Sequence, residues 1–321
     1  MNDLTFSDLE RQLYQLYQNG EYAQALDLVT REASRFPTEA WLVTYWRICL
    51  ASLLGEMALA LPLLEEALAA GLWYAEAQLR EDPDLQPLQG LPEFEQLVEV
   101  CRKRQAEAQA QAAPALITLQ PEDQCQASLQ PCPLLLALHG NYRTAEDSVG
   151  FWRSAVSNGW LLALPQSSQV GGSDGYIWND QDWAVREIQE HVATLCEQYA
   201  VDPDRVAVAG FSRGGELAIW LALSGTIEAR GFIAVGPGGP YMREPDKWVP
   251  LIEVSQGRGL RGYMVVGEQD IFFYEGTQAL AAMLRSRDIP CELEVHPNLG
   301  HDFPPEFQQS LTRALEFILQ A

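Results

Sequence analysis

The sequence predicts an all-α domain over residues 1–113 followed by an α/β domain with a mostly parallel sheet over residues 114–321. The first hundred residues show helical periodicity and an internal repeat. The remainder alternates short apolar runs with helical stretches, and the low-complexity segment KRQAEAQAQAAPA (residues 103–115) separates the two patterns. A chain of 321 residues is long enough for two domains.

The helical segment contains a repeat of about 34 residues. Gly20 and Ala25 recur as Gly55 and Ala60, and Pro37 follows the first unit. Glycine lets a helix pair turn and alanine lets its helices approach closely, so the spacing is typical of stacked helical hairpins. The segment resembles two tetratricopeptide repeats, and residues 82–104 resemble the degenerate unit that closes such an array. A plain helical bundle is the alternative.

Seven apolar runs in the second segment are expected to be strands. They read ALITL, LLLALHG, WLLALP, RVAVAG, GFIAVG, LRGYMVVG and CELEVHP, with helical stretches such as AVREIQEHVATLCEQY and GTQALAAMLRSR between them. Continuous apolar strands alternating with helices predict a mostly parallel sheet with helices on both faces. Ligands bind beyond the carboxyl ends of such strands, so the functional residues should follow the runs.

The segment GFSRG supplies a candidate nucleophile. It fits the pattern G-x-S-x-G between the run RVAVAG and the helical stretch GELAIWLAL. In that context Ser212 is expected on a strained strand-to-helix turn, which requires small neighbours because the backbone folds tightly around the serine. Its hydroxyl then lies at a helix N-terminus, where negative charge is favoured. An ordinary glycine turn is the alternative.

A serine hydroxyl needs a base, and the chain offers four histidines. His139 precedes the nucleophile, and His191 lies on an amphipathic helical stretch. The chain order serine, acid, histidine of this architecture leaves only His296 and His301. His296 falls within a strand run and is expected to be structural. His301, in the loop PNLGHDFP, is the predicted base.

The acid and the oxyanion donors are expected from three other loops. After LRGYMVVG, the segment GEQD offers Asp270, with Glu268 as the weaker option, to hold the imidazole in the correct tautomer. One oxyanion donor should be the backbone N–H of Arg213, directly after the serine. The second is expected from the loop after LLLALHG, hence from Gly140, Asn141 or Tyr142.

The segments LALHGN, GYIWND, AVDPDRVAVAGFSRGGELA, VVGEQD and NLGHDF occur in that order. Together they make residues 114–321 resemble the α/β-hydrolase fold, in particular the phospholipase/carboxylesterase and dienelactone hydrolase group. The resemblance implies a serine carboxylesterase with no metal and no cofactor. It also implies the triad Ser212, Asp270 and His301, with Asn141 and Arg213 as oxyanion donors. Dienelactone hydrolases carry a cysteine nucleophile, so the serine argues against that chemistry.

Some residues near the expected site have open roles. Arg213 stands where carboxylesterases of this group commonly have glutamine, and its cation either meets a polar or acidic substrate or forms a surface salt bridge. The candidate substrate-binding aromatics, each of which is also a core candidate, are Tyr142, Trp178, Phe211 and Phe272. The Gly- and Ser-rich segment PQSSQVGGSDGY is expected to be a mobile loop near the cleft, or only a connection.

Composition limits the partners and the compartment. The net charge of −23 argues against nucleic-acid binding, and no apolar stretch reaches the length of a membrane span. Six scattered cysteines without a CxxC pair predict reduced thiols, although Cys125 and Cys132 are close enough in sequence for a bridge. With an N-terminus unlike an export signal, this predicts a cytoplasmic protein, and the resemblance implies that its substrate is a small-molecule ester.

Other functions and partners stay open at this stage. A serine peptidase of the same fold is one rival, and a non-catalytic helical-repeat scaffold is another. The scaffold is disfavoured because a relic need not keep serine, aspartate and histidine together. For the helical domain, homo-oligomer formation, docking of a protein partner and covering of the cleft are all open roles.

Overall fold

The computed structural model describes residues 4–121, 125, 131–173 and 175–320. The chain divides into two compact units. A helical unit contains Met1–Ala112 together with Val170–Gly175, and an α/β unit contains Ala113–Gln169 together with Tyr176–Ala321. The sequence analysis did not anticipate the second, short segment of the helical unit.

The helical unit is built from hairpins that follow the sequence repeat. Its helices are α1 Phe6–Gln18, α2 Tyr22–Glu32, α3 Ala40–Leu53, α4 Met57–Ala69, α5 Glu76–Glu81 and α6 Pro92–Gln111, with 3₁₀ turns at Ala33–Arg35, Pro37–Glu39 and Pro83–Leu88. Gly20 and Gly55, with φ of 72° and 73°, make the turns from α1 to α2 and from α3 to α4. Ala25 and Ala60 are fully buried in the second helix of each pair. The repeat therefore marks the turn and the closest packing of each hairpin.

The short segment Val170–Gly175 is hydrogen-bonded to the rest of the helical unit. Gly172 forms a β-bridge with Tyr74, and the Val170 carbonyl accepts a hydrogen bond from Gln105 Nε2 (3.2 Å). The Val170 N–H donates to Gln109 Oε1 (3.0 Å). The sequence predicts a mobile loop or a connection over PQSSQVGGSDGY, whereas the structure shows Val170–Gly172 as a buried strand in which the N–H and the carbonyl of Val170 both have partners.

The α/β unit contains the predicted mostly parallel sheet. Its strands are β1 Ala115–Leu119, β2 Cys132–Leu138, β3 Leu161–Gln166, β6 Val201–Phe211, β7 Gly231–Val235, β8 Arg261–Gly267 and β9 Cys291–His296. Their order is β1-β3-β2-β6-β7-β8-β9, with β1 antiparallel to β3 and the other pairs parallel. The short strands β4 Val170–Gly172 and β5 Gly175–Tyr176 pair with each other.

Helices cover both faces of this sheet. They are α7 Ala145–Trp152, α8 Ser154–Ser157, α9 Gln181–Gln198, α10 Arg213–Ser224, α11 Pro240–Arg243, α12 Val249–Ser255, α13 Tyr274–Arg285 and α14 Phe307–Ile318. Successive residues of a strand point to opposite faces. Thus Leu135 of β2 packs in one core with Trp152 and Leu315, whereas Leu136 packs in another with Ile188. Within the described ranges, no helix is both long enough and apolar enough to cross a membrane.

One cysteine pair departs from the expectation of reduced thiols. Cys125 and Cys132 form a disulfide, with their Cα atoms 5.2 Å apart. The thiols that remain free are Cys49, Cys101, Cys196 and Cys291. Disulfides persist mainly in oxidising compartments, so the cysteines no longer support a reducing one.

Candidate active site

Ser212 lies on a sharp turn between β6 and α10. Its φ of 52° and ψ of −123° are strained for a residue other than glycine. A Cβ atom on Gly210 would lie 2.4 Å from the carbonyl carbon of Gly214, and one on Gly214 would lie 2.3 Å from the carbonyl oxygen of His139. Because backbone meets backbone at both places, only glycine fits. The small residues around the serine are thus required by the turn itself.

Three predicted residues meet at this turn. The Ser212 hydroxyl is 2.8 Å from His301 Nε2, and His301 Nδ1 is 2.7 Å from Asp270 Oδ2. Asp270 is only 1% exposed, and its Oδ1 accepts hydrogen bonds from the backbone N–H groups of Phe272 (3.3 Å) and Phe273 (3.2 Å). A buried carboxylate in contact with Nδ1 favours the tautomer in which Nδ1 carries the proton, and Nε2 faces the Ser212 hydroxyl.

The alternative acid and base lie elsewhere. The Glu268 side chain is exposed, and its backbone N–H donates to the carbonyl of His296 (2.9 Å). His296, on β9, contacts Glu294 Oε1 through Nε2 at 2.7 Å. His191 lies on α9, and burial lowers its pKa. Of the acid and base candidates, the structure therefore brings Asp270 and His301 to Ser212.

Two backbone N–H groups are available beside the nucleophile. Arg213 is the first residue of α10, so its N–H has no acceptor within the helix. The Gly140–Asn141 loop lies against the serine, since a Cβ on Gly140 would be 3.4 Å from Ser212 Cβ. The Asn141 N–H has no acceptor in the described part of the chain, whereas the Tyr142 N–H donates to the Tyr176 carbonyl (2.7 Å). Of the predicted loop donors, Tyr142 is therefore occupied.

His139 holds this loop in place through hydrogen bonds, a role that was not predicted from the sequence. Its Nδ1 donates to the Gly140 carbonyl (2.8 Å), and its Nε2 accepts from the Ser167 N–H (3.2 Å). Burial lowers its pKa to about 4, so the ring is neutral at physiological pH. The only sequence signal was its position in a His-Gly pair at a strand end.

The Arg213 side chain points away from solvent. Its guanidinium pairs with Glu216, and its Nε donates to the Trp178 carbonyl (3.2 Å). Glu216 is also fully buried and accepts a hydrogen bond from the Met242 N–H (2.9 Å). Burial raises the pKa of Glu216, and Arg213 opposes that shift. The side chain is thus in an internal ion pair, neither of the roles that the sequence analysis considered.

The predicted substrate-binding aromatics differ in exposure. Phe272 is 43% exposed, Tyr142 and Phe211 are partly exposed, and the Phe211 ring lies 5.2 Å from that of His301. Trp178 is fully buried, and its indole N–H donates to the His139 carbonyl (2.8 Å). A side chain without exposed surface offers no contact to a substrate, so Trp178 has to be removed from the predicted substrate-binding set.

A row of stacked rings leads away from His301. Phe303 stacks on Phe211 at 4.7 Å, and Phe151 stacks on Phe303 at 4.0 Å. Phe151 is 42% exposed, although it lies on α7. Phe151 was not among the predicted pocket residues, because these were expected after strands and Phe151 lies on a helix.

Two family models match different parts of the chain. Residues 5–109 match the model described as "A/B hydrolase-like, N-terminal domain". Residues 172–314 match that of the dienelactone hydrolase family. No curated protein gives a significant match.

Several solved structures share the fold of this chain. An uncharacterized protein from Bacillus cereus is 29% identical, with 98% of this chain and 99% of that chain covered and a TM-score of 0.56. Esterase PE8 is 19% identical over 64% of this chain and 99% of its own (TM-score 0.51). Est1E from Butyrivibrio proteoclasticus, solved with ferulic acid, is 16% identical over 64% and 94% (TM-score 0.50). At such identities the last two structures show the fold alone.

The fold, the family matches and the sequence motifs agree. The mostly parallel sheet carries the strand-to-helix turn at Ser212, and helices precede it over the residues that match the N-terminal domain model. The dienelactone hydrolase model covers the part of the chain that contains Ser212, Asp270 and His301. The chain therefore has the α/β-hydrolase fold preceded by a helical domain, and it is similar to the dienelactone hydrolase family over residues 172–314.

Proposed function

We propose that this hydrolase is a serine carboxylesterase, which cleaves carboxylic esters through an acyl-enzyme. The observation that supports it most is the hydrogen-bonded chain from Ser212 through His301 to Asp270, with distances of 2.8 and 2.7 Å. The proposed nucleophile lies at the N-terminus of α10, beside the N–H groups of Arg213 and Asn141, for which the described part of the chain offers no acceptor. This combination of nucleophile, base, orienting acid and oxyanion donors is what acyl transfer requires.

The reaction proceeds in two halves. Ser212 Oγ attacks the ester carbonyl carbon while His301 Nε2 takes its proton, and Asp270 stabilises the imidazolium. The N–H groups of Asn141 and Arg213 donate to the developing oxyanion. His301 then protonates the departing alcohol, and the acyl group stays on Ser212. Water, deprotonated by the same imidazole, releases the acid and restores the serine.

The substrate is proposed to be a small ester with an apolar group. Phe211 lies beside the reacting residues, and Tyr142 and Phe272 expose aromatic surface close to them in sequence. Aromatic surface next to a few polar groups is typical of a small-molecule site. The tetratricopeptide-like assignment, a partner for the helical unit and a cytoplasmic location remain predictions from the sequence.

The test is hydrolysis of p-nitrophenyl acetate, butyrate, octanoate and palmitate. We expect the wild type to hydrolyse at least one of them, the Ser212→Ala variant to lose that activity, and Ser286→Ala, which alters an exposed serine on another element, to keep it. A fluorophosphonate should label the wild type and not Ser212→Ala. No hydrolysis across the series together with no labelling would contradict the proposal.

A further inference from the structure

Trp178 contacts the proposed oxyanion site through three polar groups, although no part of its side chain is exposed. Its backbone N–H donates to Asn141 Oδ1 (2.9 Å), and its carbonyl accepts from Arg213 Nε (3.2 Å). Its indole N–H donates to the His139 carbonyl (2.8 Å). Each of these partners belongs to the loop after β2 or to the start of α10, the two elements that supply the proposed donors.

The loop after β2 is fixed further by the neighbours of Trp178. The Asn141 amide donates to Asn179 Oδ1 (2.8 Å), so residues 178 and 179 hold both ends of that side chain. The Trp178 ring lies 4.8 Å from the His139 ring, whose Nδ1 donates to the Gly140 carbonyl. The backbone that carries the Asn141 N–H is therefore fixed by the contacts of the Asn141 side chain and by those of His139.

Among the described residues, no other residue hydrogen-bonds to both residues that carry the proposed donors. Within the described residues, Trp178 is the residue that hydrogen-bonds to both Asn141 and Arg213. An oxyanion is stabilised only when both N–H groups reach the same oxygen at about 2.7–3.1 Å, and this geometry must exist before the reaction. A buried and fully hydrogen-bonded residue between the two elements provides such rigidity.

We propose that Trp178 is a positioning residue that sets the spacing between the Asn141 and Arg213 N–H donors. It acts through these residues and does not touch the substrate. The inference rests on the proposed esterase function, because it concerns the oxyanion site of that reaction. This role explains why the Trp178 side chain lies near the site although it has no surface that a ligand could contact.

The first variant is Trp178→Phe. It keeps an aromatic ring and both backbone hydrogen bonds but removes the indole N–H, which leaves the buried His139 carbonyl without that donor. The matched control is Trp248→Phe, since Trp248 is equally buried and its indole N–H has no partner within the described residues. Both changes remove the same atoms from a core, and only one of them removes a hydrogen bond near the donors.

The readout compares an ester that the wild type hydrolyses with its thionoester, in which sulfur replaces the carbonyl oxygen. Sulfur is larger and accepts hydrogen bonds weakly, so the donors favour the oxygen ester. For Trp178→Phe we expect kcat on the ester to fall about tenfold or more, with KM little changed. This loss is smaller than the ~100–1000-fold loss of kcat that follows when a donor is removed outright. The ratio of kcat/KM for ester over thionoester should fall with it. Trp248→Phe should keep the wild-type ratio.

The ratio does not depend on how much of a variant is folded, because both substrates see the same folded fraction. A second variant, Asn141→Ala, keeps the backbone N–H and removes both side-chain links to residues 178 and 179, so the ratio should fall there too. An equal loss on both substrates, or no loss, in both Trp178→Phe and Asn141→Ala would overturn this inference alone. Absence of Ser212-dependent hydrolysis in the wild type would overturn the proposed function and the inference with it.

Discussion

At the scale of single residues, Asp270 shows how the orientation of the His301 imidazole is fixed. One carboxylate oxygen meets His301, and the other is held by two backbone N–H groups. The two backbone hydrogen bonds to Oδ1 therefore fix the carboxylate, and only Oδ2 faces the imidazole. Since the tautomer of a histidine follows the hydrogen bond of its other nitrogen, this contact determines which nitrogen faces Ser212.

We predict that Asp270→Asn lowers kcat about 10³–10⁴-fold while KM changes little. An amide in that position can donate to Nδ1 and favour the wrong tautomer, with the geometry otherwise kept. The measurement is steady-state kinetics on the best p-nitrophenyl ester. Glu268→Gln, at an exposed carboxylate two residues away, should stay within about twofold of the wild type. A large loss in Glu268→Gln with little effect in Asp270→Asn would assign the acid to Glu268.

The turn at Ser212 gives a second prediction at this scale. Gly214→Ala should lower the free energy of unfolding by about 3 kcal/mol or more, because the new Cβ would lie 2.3 Å from the rigid His139 carbonyl. Gly150→Ala, in α7 with no atom within 4 Å of its added Cβ, should be neutral or slightly stabilising. Urea denaturation of both variants checks this. Equal stability of the two variants would show that the turn is not close-packed.

The sequence allowed prediction of the residues whose type and order carry the chemistry. Ser212, Asp270 and His301 follow separate strands in a recognisable order, and the structure brings them together. Trp178 and Arg213 were harder, because whether a side chain faces a ligand or the interior depends on partners distant in sequence. Glu216, for example, gives no signal until the fold buries it beside Arg213.

At the scale of elements, the sheet was predictable because most of its strands contain a continuous apolar run. Both faces of β2 are buried, so its sequence is apolar throughout. The strands β4 and β5 were missed because they are two or three residues long and rich in glycine. Strands of this length contain too few residues to show an alternating or a continuous apolar pattern.

The strand β9 carries a charged cluster that predicts a pH effect on stability. Burial alone would raise the pKa of Glu294, but hydrogen bonds from Tyr263, Ser310, Arg313 and His296 together lower it to about 2. A carboxyl whose pKa falls on folding stabilises the folded state at pH values above the pKa that it has in the unfolded chain. For Glu294 that unfolded pKa is about 4.5. That contribution disappears as the pH falls from about 4.5 to 2.

Glu294→Gln should therefore lower the free energy of unfolding by about 1–2 kcal/mol at pH 7, after allowance for solvent screening. The difference from the wild type should shrink at pH 3, where part of the native contribution is already lost. Urea denaturation at the two pH values measures it, with Glu316→Gln at an exposed position as the control. A difference of the same size at both pH values would mean that the carboxylate charge does not stabilise β9.

At the scale of the whole molecule, the helical unit is formed by two segments that are separate in sequence. Val170–Gly175 belongs to that unit, whereas the neighbouring Gln169 and Tyr176 belong to the α/β unit. The match to the Bacillus cereus protein covers 98% of this chain, so helical and α/β segments occur together there as well. A boundary placed near residue 113 from composition alone could not reveal this second contribution, because it depends on hydrogen bonds to α6.

We predict that the Gln105→Ala/Gln109→Ala double variant is cleaved faster by proteinase K within Val170–Gly175, by severalfold. Both glutamines hydrogen-bond to Val170, and their loss leaves its backbone groups unpaired. The control is the Glu107→Ala/Gln111→Ala double variant, which alters exposed residues of the same helix. Limited proteolysis followed by mass spectrometry locates the cut. An unchanged cleavage rate would show that the segment is held by its other contacts.

The central claim is that Ser212 becomes acylated during ester hydrolysis. The most direct measurement is rapid acid quenching of the wild-type protein with p-nitrophenyl acetate, followed by peptide mass spectrometry. The account predicts an acetyl group on the peptide that contains Ser212, its absence in Ser212→Ala, and the loss of turnover in that variant. Acetylation at another residue, or full turnover by Ser212→Ala, would contradict it.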